Sequence, residues 1–138
     1  MDTGKTIRNA LRDKISTVSV DESLDIALKT MARDDATALL VKTGDEPVGI
    51  ITISDIMYSM ANEENPKEIM VSSFMTKCEL ITTQTVKTPC IQLDEDENIL
   101  SAIKVMNEAG VSHVLVSGDK GEPVGMVSSL DIVKLLVS

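Results

Sequence analysis

A chain of 138 residues that is 43% hydrophobic has apolar material for one compact domain or two intimately packed halves. Its 1% aromatic content (one Phe, one Tyr, no Trp) leaves Val, Ile, Leu, Ala and Met to fill the core, and excludes the stacking platforms on which single-strand nucleic-acid binders rely. A formal net charge of −9, spread along the sequence, repels nucleic acid and anionic membrane, and makes a multiply charged anionic ligand hard to hold without local cations.

In chain order, Gly4-Lys5-Thr6 has the form of the tail of a phosphate-binding loop, but the upstream glycine and preceding strand are missing, so no phosphate cradle is expected. Ile7, Ala10 and Leu11 stand at helical spacing and predict a short lead-in helix over 7–14, followed by a short strand over 15–20. Asp21-Glu22-Ser23 is acidic and cap-like. It opens a helix to about Asp35, with Leu24, Ala27, Leu28 and Met31 as its apolar stripe. Thr37 to Lys42 predicts a strand, residues 43–47 a turn, and Val48 to Thr52 the return strand of a hairpin. A second helix is expected from Ile53 to about Ala61.

Residues 62–87 read as a connector with no counterpart elsewhere. It is polar and turn-like at first, then has a short helical stretch through Ile69-Met70 and Phe74-Met75 and a Thr-rich strand over 80–86. Beyond Pro89 the pattern returns. A helix carries Ile99, Ala102, Ile103 and Met106, Gly110 stops it, strands cover 111–117 and 124–128, and a last helix runs to about Leu136. Both hairpins are almost continuously apolar, so both sheet faces are expected to be covered. Cys78 and Cys90 match no metal-ligand spacing and are read as reduced, structurally incidental thiols. No apolar run approaches the roughly 18 residues of a bilayer span and no N-terminal stretch has a signal-peptide layout, so a cytoplasmic location is expected.

The return is a repeat. Pro47-Val48-Gly49-Ile50-Ile51-Thr52-Ile53-Ser54-Asp55 is matched by Pro123-Val124-Gly125-Met126-Val127-Ser128-Ser129-Leu130-Asp131. Upstream, Leu24, Ala27 and Met31 align with Ile99, Ala102 and Met106 at a constant separation of 75, which becomes 76 at the glycines through one inserted turn residue. Units of roughly 45 residues rarely stabilise themselves, so the two are expected to pack on each other.

Two places carry candidate chemistry. Thr52-x-x-Asp55 and Ser128-x-x-Asp131 sit where a buried strand hands over to a helix. A capping box explains them without a ligand. A helix N-terminus beside a carboxylate also suits a phosphorylated sugar, the dipole favouring the anion and the carboxylate accepting ribose hydroxyls. A hydrolase using His113 with Asp55 has no activated nucleophile and no metal set behind it, so the chain is not read as an enzyme.

The pattern Asp-x-x-Leu-x-x-Ala-Leu-x-x-Met, a Leu-Leu-Val strand, a turn, and Pro-Val-Gly-Ile-Ile-Thr-x-x-Asp-Ile resembles a cystathionine-β-synthase (CBS) domain. The second unit resembles one too, through Ile99–Met106, Val114-Leu115-Val116 and Pro123–Ile132. The resemblance implies a stand-alone tandem pair (a Bateman module) of mixed α/β (α+β) fold, in which two β-α-β-β-α repeats pack sheet to sheet about a pseudo-twofold axis. Repeat 1 covers 7–61, the connector 62–87 and repeat 2 88–138.

It further implies two related clefts for adenosine ligands, with the strand of one repeat facing the Asp of the other. One site would combine Ala36, Thr37 and Ala38 with Ser128 and Asp131, and the other Val111, Ser112 and His113 with Thr52 and Asp55. The chain departs from the family in having Leu40 and Leu115 where Pro is common. It also has Ala38 where a basic residue often meets phosphate, so only His113 offers a phosphate partner and the sites are expected to differ. With few positioned cations, AMP or ADP ranks ahead of S-adenosylmethionine and ATP. The expected role is a ligand sensor, commonly homodimeric, read by a regulated partner protein, with no catalytic cofactor. A ligand-free oligomerisation module using Ile53, Met57, Met60, Val133 and Leu136 is the alternative.

Overall fold

The computed structural model describes residues 4–12, 15–77 and 91–138. Cys78, Cys90 and the strand expected over 80–86 lie outside the described residues. The chain divides into two compact units, one within Ser16–Thr88 and one combining Met1–Ile15 with Pro89–Ser138.

In the first unit the order is β1 (Thr17–Ser19), α1 (Leu24–Asp34), β2 (Ala38–Thr43), β3 (Glu46–Thr52), α2 (Ile53–Ala61) and β4 (Thr76–Lys77). The sheet runs β1-β2-β3-β4, with β1 parallel to β2 and the other neighbours antiparallel. The apolar stripe predicted for α1 faces this sheet. Leu24, Ala27 and Met31 form one core with Val18, Leu39, Val41, Ile51 and Ile56.

The second unit contains β5 (Gln92–Asp94), α3 (Ile99–Ala109), β6 (His113–Ser117), β7 (Pro123–Ser128) and α4 (Ser129–Leu136). Its sheet runs β5-β6-β7, again parallel then antiparallel. Ile99, Ala102, Met106, Val114, Val116, Val127 and Ile132 fill the core at positions equivalent to those of the first unit. The four consecutive residues Ala38–Val41 are all buried, as are Val114–Ser117, so both faces of these central strands are covered. Helix α3 ends on Gly110 at φ 69°, a left-handed conformation that glycine adopts without a Cβ penalty, whereas α1 ends on Asp35 at φ 53°. Among the described residues no helix is long and apolar enough to cross a membrane.

The lead-in and the connector differ from the sequence reading, and for one reason. Ile7–Ala10 is a single 3₁₀ turn, not a helix to residue 14, and it belongs to the unit of the second repeat although it precedes the first in sequence. Ile7 donates its N–H to Glu97, Ile99 donates to Lys5, and Ile7 is fully buried in the second core. In the first unit, Val71 donates to Glu22, Leu24 donates to Ile69, and Val71 is fully buried. Isolated bridges Thr6–Asn98 and Ser23–Met70 complete the correspondence.

Residues 69–76 are therefore the counterpart of 5–12, at a separation of 64, and this part of the connector is a repeat element after all. The hydrogen bonds to Glu97 and Glu22 match while the side chains that surround them diverge, which hid the relation in the sequence.

Candidate functional site

Strand β3 arrives buried and ends at Thr52, whose extended backbone (φ −114°, ψ 166°) makes it the N-cap of α2 and sets Asp55 in the first turn. The Asp55 Oδ2 accepts the Thr52 N–H at 2.8 Å and the Thr52 hydroxyl at 3.1 Å, and Thr52 Oγ1 accepts the Asp55 N–H at 3.3 Å. The second turn repeats this, with Asp131 Oδ2 accepting from Ser128 N at 2.9 Å and Ser128 Oγ at 3.0 Å, and Ser128 Oγ accepting from Asp131 N at 3.2 Å. The capping box is real in both. It engages the same oxygen, Oδ2, in each carboxylate, which leaves Oδ1 as the acceptor that can face a ligand.

Each turn is tied to the start of the neighbouring strand. Ile53 donates its N–H to Thr37 O at 3.1 Å, and Ser129 to Ser112 O at 2.9 Å. In register, Ala38 stands opposite Thr52 and His113 opposite Ser128. Within each unit the structure thus brings Thr37 and Ala38 beside the turn of Thr52 and Asp55, and Ser112 and His113 beside the turn of Ser128 and Asp131, whereas the resemblance implied the opposite pairing, across the repeats. Ala36 and Val111 turn into the cores of their own units, so what they can offer a ligand is backbone. The hydroxyl of Ser112 lies 3.0 Å from His113 Nδ1.

Sequence reasoning missed Arg12. Its Nε lies 3.7 Å from Asp131 Oδ1, the oxygen that the capping box does not use. Arg12 belongs to the lead-in, and finding it required recognising that segment as a repeat element whose other copy has Thr76 at the equivalent position. Elsewhere in the second unit, Glu95, Asp96 and Asp119 cluster closely enough to suggest a cation site. Arg8 donates to Glu95 at 2.8 Å and Asp96 at 2.6 Å, and its guanidinium is raised above the ordinary arginine range, first by the bond to Glu95 and then by the charge of Asp96. The carboxylates thereby already hold a cation from the chain itself.

Two copies of a parallel–antiparallel α/β unit, each presenting a hydroxyl–carboxylate turn at a helix N-terminus, define a tandem-repeat module built around two related turns. The CBS domain model matches residues 7–62 and 71–138. The chain belongs to the CBS domain family, whose members are typically regulatory, ligand-binding modules and not catalysts.

A CBS-domain protein structure from Burkholderia ambifaria superimposes with a TM-score of 0.81 at 26% identity, covering 96% of this chain and 94% of that one. A hexameric CBS-CP12 protein from cyanobacteria shares the fold at 20% identity and a TM-score of 0.78, over 94% of this chain and 66% of that one. Among curated relatives, an uncharacterised protein of Methanopyrus kandleri is 27% identical over 91% of this chain, which spans 59% of that protein. A homoserine O-acetyltransferase of Methanococcus vannielii is 31% identical over 93% of this chain, which spans only 24% of the enzyme. The chain thus spans less than two thirds of the length of these two curated relatives.

Proposed function

We propose that the chain is an adenosine-ligand sensor, in which each Thr/Ser-x-x-Asp turn holds the ribose and phosphate of a nucleotide and a regulated partner protein reads the outcome. The observation that carries this reading is the division of labour within each carboxylate. Oδ2 is fixed by its own turn, so Oδ1 is held in place to accept sugar hydroxyls at no further ordering cost. The helix N-termini at Thr52 and Ser128 favour the phosphate. Thr37, Ser112 and His113 supply polar groups beside these turns, and Ala36, Ala38 and Val111 supply backbone. The net charge of −9 ranks AMP or ADP ahead of S-adenosylmethionine and ATP, since each additional phosphate needs a counter-charge. A ligand shifts the module only by its differential affinity for two arrangements.

The test is thermal unfolding with AMP, ADP, ATP, S-adenosylmethionine and NAD, followed by calorimetry on Asp55→Asn and Asp131→Asn. A ligand at a hundred times its dissociation constant adds roughly 2.7 kcal/mol, a shift of several degrees. Asn keeps an oxygen for the cap while removing the charge, so each variant should retain its fold and lose one site. Unchanged nucleotide affinity in the double variant rejects the ribose role.

A second reading, assembly without ligand, is favoured by the exposed apolar residues Ile53, Met57 and Met60 on α2 and Val133 and Leu136 on α4. Dimerisation through these faces is common to both readings, and we take the sensor to be a homodimer.

A further inference from the structure

The geometry points to Arg12 as the residue that makes the turn at Asp131 select phosphorylated adenosine ligands over adenosine itself. The inference rests on the nucleotide reading above. Asp131 Oδ2 is committed to the N–H and hydroxyl of Ser128, so a ribose must bond to Oδ1, and Oδ1 is the atom that Arg12 Nε approaches at 3.7 Å. The carboxylate is largely sheltered, with 12% of the Asp131 side chain exposed, whereas 39% of the Arg12 side chain is reachable from solvent.

A neutral nucleoside bonding to Oδ1 shares that oxygen with the guanidinium and offers it no anion in return. A nucleotide returns a phosphate, which the planar guanidinium can bond with two parallel N–H groups. The ion pair thereby becomes a filter for the anion. The equivalent position at the other turn is the uncharged Thr76, so Asp55 lacks this filter and the two turns differ in ligand preference. At the turn of Asp131 a ligand phosphate therefore has a cation to meet. The cation comes from the lead-in.

The experiment is calorimetry with AMP and adenosine on the full chain carrying Asp55→Ala, with and without Arg12→Gln. Circular dichroism confirms the fold of each. Loss of one charge-assisted contact should weaken AMP about tenfold while leaving adenosine unchanged or tighter, because Oδ1 is released. AMP binding that needs Asp131 but is indifferent to Arg12→Gln overturns the assignment and leaves the nucleotide reading standing. Equal loss of AMP and adenosine also overturns it, since Arg12 would then act only by positioning Asp131. No binding of either ligand by the unaltered chain overturns the nucleotide reading, and this inference with it.

Discussion

Gly49 and Gly125 occupy the same place in the repeated Pro-Val-Gly phrase, yet they face neighbours of different stiffness. A Cβ on Gly49 would lie 2.5 Å from the backbone oxygen of Thr76, which β4 holds in the sheet. A Cβ on Gly125 would meet Leu11 Cδ2 at 2.6 Å, the far end of a side chain that can rotate. Gly49→Ala should therefore destabilise the chain by about 2–3 kcal/mol and Gly125→Ala by about 1 kcal/mol or less, read from urea midpoints at constant m-value. Equal losses would mean that the lead-in segments do not set the requirement for glycine. The aspartates show a related economy. A capping role and a ligand role looked like competing explanations on spacing alone, but one carboxylate has two oxygens, and Asp55 and Asp131 each commit only Oδ2 to the cap.

The α-helices and hairpin strands were legible because their apolar periodicity states both element type and buried face, and the repeat confirmed each assignment with a second copy. The lead-in elements were not legible, because a 3₁₀ turn has too few residues to display a period. Their relation lies in backbone hydrogen bonds and in the fully buried Ile7 and Val71, which share little sequence context. Arg12 stayed hidden for the same reason, since nothing near it in sequence announces a neighbour more than a hundred residues away. This arrangement gives a prediction that contradicts sequence order. Ile7→Ala leaves a cavity in the core of the second repeat and should cost about 3–4 kcal/mol, and Val71→Ala somewhat less in the core of the first. Amide exchange should locate the damage, with Ile7→Ala loosening β5, β6 and β7 before β1, β2 and β3, and Val71→Ala the reverse. If Ile7→Ala loosened the first repeat first, the grouping of the lead-in with the second would be wrong.

At the scale of the whole molecule, a surface with a net charge of −9 keeps copies apart unless a local apolar contact outweighs the repulsion. The exposed large hydrophobic residues include Met57 at 63% and Val133 at 54%, at equivalent positions on α2 and α4. Between α3 and α4 lies a groove of about 360 Å³ lined by Ile103, Met106, Ile132, Val133 and Leu136. Met and Val at such positions gain nothing from water, and a second copy would bury them. Replacing both with Glu puts a charge on the exposed face of each helix without touching either core. Light scattering should therefore give the mass of a dimer for the unaltered chain and of a monomer for Met57→Glu/Val133→Glu, at an unchanged unfolding temperature at low concentration. AMP affinity should survive the change, because neither residue lies in the turns at Thr52 and Ser128. A variant that stays dimeric would place the contact elsewhere. One that becomes monomeric and also loses AMP would show that assembly and ligand binding are a single equilibrium, in which each must change the other's affinity by the same factor.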